Sequence, residues 1–144
     1  MLLFIDVDGV LLGKSDARNI EHCLAAGCEE FIDFALENFD CYWLTSHCKG
    51  DATTVLDYLR PYATTQLLEK LKKIKPTYYK TFKTEALYGD FLWIDDSSSM
   101  YEFNYLEQNN LLHRWLQVNT RKEYRALEKL MPDILTMAHD IKQI

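Results

Sequence analysis

Leu2-Leu3-Phe4-Ile5-Asp6-Val7-Asp8-Gly9-Val10 opens the chain with an apolar run that ends in two carboxylates one residue apart. Alternate residues of a strand face the same way, so Asp6 and Asp8 project together only while the chain stays extended, and Gly9 permits an abrupt turn just beyond them. The pair is thereby expected at the carboxyl end of a strand, the edge where open α/β sheets bind ligands. Carboxylates that close repel unless a divalent cation, a shared proton or an electrophilic phosphorus intervenes, and all three belong to phosphoryl transfer.

Two further apolar runs carry the same message. Cys41-Tyr42-Trp43-Leu44 ends in Thr45-Ser46-His47, and Phe91-Leu92-Trp93-Ile94 ends in Asp95-Asp96. A helix is expected over residues 19–38, where Ile20, Leu24, Gly27, Phe31 and Phe34 recur at helical spacing. A second is expected over 51–60, with Asp51 as its cap and Pro61 as its stop. Residues 62–82 read as a short helix followed by an edge strand or extended loop around Pro76, and Lys83 to Leu87 as one or two helical turns. After Ser97-Ser98-Ser99 a helix runs through Leu106, and Trp115 to Val118 is a strand candidate. The carboxyl end is helical, with Pro132 expected to start a fresh segment. Strands alternating with helices predict a single domain over residues 1–144, a three-layer α/β/α Rossmann-like fold with a mainly parallel sheet. Distant strand ends then converge on one edge.

At 144 residues the chain is long enough to bury a substantial core, and its 48% apolar and 26% charged residues are ordinary for a globular protein. No run approaches the ~20 apolar residues of a membrane span, and the amino terminus lacks the pattern of a signal peptide, so a cytoplasmic protein without membrane partners is expected. Cys23, Cys28, Cys41 and Cys48 match neither a metal knuckle nor a secreted disulfide framework and read as free thiols. The net charge of −6 argues against general steering toward nucleic acid, though not against a local basic patch. Lys70, Lys72, Lys73, Lys75, Lys80 and Lys83, interleaved with Tyr78, Tyr79 and Phe82, are the candidate patch; the favoured reading is a solvated face whose aromatics turn inward. His47 stands close enough to the second strand end to line a site, whereas His22, His113 and His139 show no ligand spacing.

These parts resemble the haloacid dehalogenase-like hydrolase superfamily, as a small member without a sizeable cap domain. Asp6-Val7-Asp8-Gly9-Val10 looks like its first motif, Leu44-Thr45 like the second, a lysine of the Lys80–Lys83 region like the third, and Trp93-Ile94-Asp95-Asp96 like the fourth. The resemblance implies a magnesium-dependent phosphatase working through an aspartyl-phosphate on Asp6. Asp8 would serve as general acid and then base, with a pKa raised by its neighbours. Magnesium would be held by Asp6, the main-chain carbonyl of Asp8 and Asp96, with Asp95 orienting the ligands or coordinating itself. Thr45 and Ser46 would bind phosphoryl oxygens, and Lys83 would neutralise charge and steady Asp6, with Lys80 as the other candidate. The substrate is a phosphorylated small molecule or macromolecule. Two competing functions are a non-enzymatic metal-binding or regulatory module on the same fold and a phosphatase acting on nucleic-acid ends.

Overall fold

In the computed structural model, which describes residues 1–18 and 22–142, the first apolar run forms strand β1 (Leu2–Ile5) at the interior of a sheet. The Cys41 run forms β4 (Asp40–Trp43), the third run β5 (Phe91–Asp95), and the Trp115 run β6 (Trp115–Gln117). The order is β4-β1-β5-β6, and each neighbouring pair is parallel. From β1 the chain first builds outward to β4, then returns to the other flank of β1 to lay down β5 and β6. That reversal of direction puts a crevice at the carboxyl end of β1.

Alternation along the strands divides the core. Leu3, Ile5, Leu92 and Ile94 pack with Phe31, Ile32, Leu59, Leu71 and Ile134, while Phe4, Phe91 and Trp93 pack with Leu44, Tyr79 and Leu106 on the opposite face. Helices α1 (Cys28–Asn38), α2 (Thr53–Leu59), α3 (Thr65–Leu71) and α5 (Ala126–Lys142) supply the first face, and α4 (Met100–Gln108) the second. The result is an α/β arrangement compatible with a Rossmann-like fold. Between β1 and β4 lie a small hairpin, β2 (Leu12–Gly13) with β3 (Cys23–Leu24), and α1; between β4 and β5 lie α2, α3 and a 3-10 turn, Lys83–Ala86. None of these insertions has the size of a domain.

Two expectations are corrected. The helix read over 19–38 is shorter: residues 19–21 lie outside the described chain, Cys23 and Leu24 pair with Gly13 and Leu12, and the helix starts only after Gly27 at φ 71°. Pairing with Leu12 and Gly13, just beyond the turn after β1, outweighed the local periodicity. Pro132 does not open a new segment but lies inside α5, which continues because Leu127, Ile134, Ala138 and Ile141 are buried along one side. Their burial offsets the main-chain hydrogen bond that a proline cannot donate. The stretch after α3 is extended, as read, with Lys75 bridging to Tyr42 beside β4.

The lysine-rich run is mainly a solvated face. Lys70 pairs with Asp33 and Glu29, Lys72 with Glu69 and Lys75 with Asp40, while Tyr79 is buried. Tyr78 departs from the expectation by staying exposed. No disulfide joins Cys23, Cys28, Cys41 or Cys48. No described helix is long and apolar enough to cross a membrane.

Candidate active site

The turn after β1 is built by its own main chain. The N–H groups of Val10, Leu11 and Leu12 all donate to the Val7 carbonyl, and Gly9 donates to the Leu12 carbonyl. Gly9 sits at φ 78°, and a Cβ there would lie 2.4 Å from an Asp96 carboxylate oxygen. Glycine is thus required twice, for the backbone and for the room that Asp96 occupies.

Asp6 follows β1 directly, its N–H donating to the Ile94 carbonyl of the adjacent strand. Asp95 ends β5, and Asp96 follows it. Each of Asp6, Asp95 and Asp96 offers a carboxylate oxygen within 4.8 Å of the others, a grouping that could hold a metal ion. Lys83, at the start of the 3-10 turn, reaches into the group: its Nζ lies 2.6 Å from Asp95 Oδ2 and 3.2 Å from Asp6 Oδ1. Burial alone would lower the lysine's pKa, but the two carboxylates outweigh it and hold the ammonium firmly charged. Lys80, the other candidate, is exposed and is tied through its main-chain N–H to Glu85.

Asp95 is the most enclosed of the three. It accepts hydrogen bonds from Lys83 Nζ, Trp93 Nε1 and the Ser97 N–H, and burial with the neighbouring Asp6 charge pushes its pKa up to about 6. Burial also raises Asp6, with Lys83 opposing. Asp96 is half-buried and raised by burial and by Asp95; its contact with Arg121 Nη1 is long, at 3.5 Å.

Asp8 takes its partners outside this cluster. Tyr58 of α2 donates to its Oδ1 at 2.7 Å, His47 Nε2 lies 2.8 Å from Oδ2, and His22 Nε2 lies 3.4 Å from Oδ1. His47 and Tyr58 are themselves stacked, with ring centroids 3.7 Å apart. Burial pushes the Asp8 pKa up, but the Tyr58 and His47 hydrogen bonds overcome it and leave the group below its ordinary value. The expectation of a raised pKa is thereby corrected: donors that bond the charged form favour it. Thr45, fully buried just beyond β4, accepts a long hydrogen bond from the His47 N–H, and Ser46 is exposed beside it.

Helix α4 braces the arrangement. Ser99 caps it, and Glu102 returns one carboxylate oxygen to the Ser99 N–H while the other accepts the Lys83 N–H at 2.6 Å. Tyr58, His22, Glu102 and Arg121 were missed at the level of sequence. His47 was the one of these surroundings with a visible signal, its place just after a strand end.

Comparison with protein-family models, with curated proteins and with solved structures finds no significant match to this chain.

Proposed function

We propose that this protein is a magnesium-dependent phosphomonoester hydrolase acting through an aspartyl-phosphate on Asp6, in the manner of the superfamily that its motifs resemble. The observation that carries the reading is the Asp6, Asp95 and Asp96 cluster with Lys83 bridging two of its members. Three hard carboxylate donors suit magnesium. When bound, the ion would shield the phosphoryl oxygens and lower the charge that an attacking carboxylate must approach.

Asp6 supplies the nucleophile: one carboxylate oxygen forms a bond to phosphorus as the ester oxygen leaves with the bonding pair. Lys83 keeps Asp6 oriented and neutralises charge on the transferred group. Asp8 gives a proton to the departing oxygen, then takes one from the water that attacks phosphorus and releases Asp6. Its hydrogen bonds from Tyr58 and His47 favour the carboxylate, the form needed as base. A phosphoryl dianion approaching Asp8 favours the protonated form by like-charge repulsion, which suits the earlier role. Thr45 lies at the neighbouring strand end, suited to hold a phosphoryl oxygen.

The test is hydrolysis of an aryl phosphate with magnesium and with chelator. Turnover is expected only with the metal, and Asp6→Asn is expected to lower kcat by at least about 1,000-fold, the scale of losing a covalent nucleophile. Equal activity in chelator and in the Asp6→Asn variant would refute the reading.

A further inference from the structure

Arg121 belongs to none of the motifs, yet the fold holds it at the rim of the site. The loop that carries it follows β6 and is fastened to the Asp6–Val10 turn through Thr120. The Thr120 N–H donates to the Gly9 carbonyl at 2.8 Å, and its buried hydroxyl donates to the Val10 carbonyl at 3.1 Å. The Lys14 N–H closes the other side on the Thr120 carbonyl. A Cβ at Gly13 would stand 2.2 Å from the Thr120 hydroxyl, so this approach is as close as the chain permits. Asn119 Oδ1 accepts the Arg121 N–H and sets the turn from which the side chain leaves.

The guanidinium is half-exposed, 49% by side chain, and its pairing with Asp96 is long at 3.5 Å. Its positive charge is also felt at Tyr58, the phenol that holds Asp8. Thr120 fastens the Arg121 loop to the Gly9 carbonyl, directly after Asp8, while Lys83 bridges Asp6 and Asp95. On the proposed reading, Asp8 faces the leaving group. A divalent cation together with Lys83 balances Asp6, Asp95 and Asp96, leaving no surplus positive charge for an anion beyond the reacting phosphoryl group. A guanidinium remains charged at any physiological pH and presents a planar fork that matches carboxylate and phosphate.

We propose that Arg121 forms a subsite for a second anionic group carried by the leaving group, so that the preferred substrates are phosphomonoesters bearing a further phosphate or a carboxylate. This rests on the phosphatase reading for the identity of the substrate, but the binding of the second anion is testable without turnover.

The experiment compares phenyl phosphate, carboxyphenyl phosphate and phenylene bisphosphate in magnesium, using the wild type, Arg121→Ala and Arg121→Lys. In parallel, calorimetry measures the binding of benzylphosphonate, carboxybenzylphosphonate and xylylene bisphosphonate, which cannot be hydrolysed. The wild type is expected to prefer at least one doubly anionic ester over phenyl phosphate by about tenfold or more in kcat/KM, as a charged hydrogen bond implies. That ratio is expected to collapse toward unity in Arg121→Ala and to recover in part in Arg121→Lys. The same pattern is expected in the phosphonate affinities, and whichever of the two arms shows it identifies carboxylate or phosphate as the second anion. An absence of preference in the wild type, or an equal loss across all three esters in Arg121→Ala, would overturn the assignment. Failure of every ester to turn over would refute the phosphatase reading, while the phosphonate affinities would still decide the role of Arg121. Matched thermal melts of the variants separate these outcomes from misfolding.

Discussion

The carboxylates of Asp6 and Asp8 differ by two positions in sequence and by opposite environments in space. Asp6 is enclosed and raised by burial, whereas Asp8 is bonded by Tyr58 and His47 and lowered. If Asp8 must be ionised to activate water, then removing a donor to its charged form raises its pKa. Tyr58→Phe is accordingly expected to move the acid limb of the kcat–pH profile to higher pH, which steady-state rates across a buffer series would measure; an unmoved limb would separate Asp8 from that limb. The strand-end acids, Thr45 and Lys83 were legible because each follows an apolar run or opens a helical turn within the chain's own order. Tyr58, His22 and Arg121 were not, because they meet the site only after α2, the hairpin and the loop beyond β6 have docked, and nothing in their local sequence encodes those meetings.

Among the elements, β1, β4 and β5 were read to within a residue or two, since continuous apolar runs bounded by polar residues describe strands buried on both faces. The start of α1 was misjudged because a two-residue pairing, Leu12 with Leu24 and Gly13 with Cys23, is too short to leave a periodic signal. The role of α4 was also hidden. The sequence places Ser99 just before this helix, but does not show that Glu102 links its cap to the Lys83 main chain. Glu102→Ala leaves the part-buried Lys83 N–H of this junction without its acceptor. A loss of roughly 1–3 kcal/mol in urea unfolding is expected, with a fall in kcat as Lys83 loses its anchor. An unchanged midpoint and kcat would show that the junction carries neither.

For the molecule as a whole, gathering three carboxylates at one sheet edge opposes folding when no cation is present. The Asp95 pKa is raised in the folded state, so the folded chain holds that proton more tightly than the unfolded one. Its stabilising effect is complete below the ordinary carboxylate range and is lost as pH rises through about 6. Urea unfolding in chelator is therefore expected to show stability declining between about pH 4 and 6 from this group, by up to roughly 3 kcal/mol, with Asp95→Asn flattening that portion. Magnesium at neutral pH is expected to restore stability in the wild type by binding the folded form alone. A flat profile in both proteins would contradict the electrostatics of the cluster. The parallel sheet brings these groups together from strands ninety residues apart in broad terms, from Asp6 to Asp96, and the proposed chemistry depends on that convergence at a single nucleophile. The most direct test is acid quenching of Asp8→Asn during reaction with an aryl phosphate in magnesium, followed by mass spectrometry of the peptides. An aryl leaving group needs little help from an acid, whereas release of the phosphoryl group needs the missing base, so a phosphoryl adduct is expected to accumulate on Asp6 and to be absent when Asp6→Asn is added. Turnover of the ester without any adduct on Asp6, and undiminished in Asp6→Asn, would contradict the mechanism.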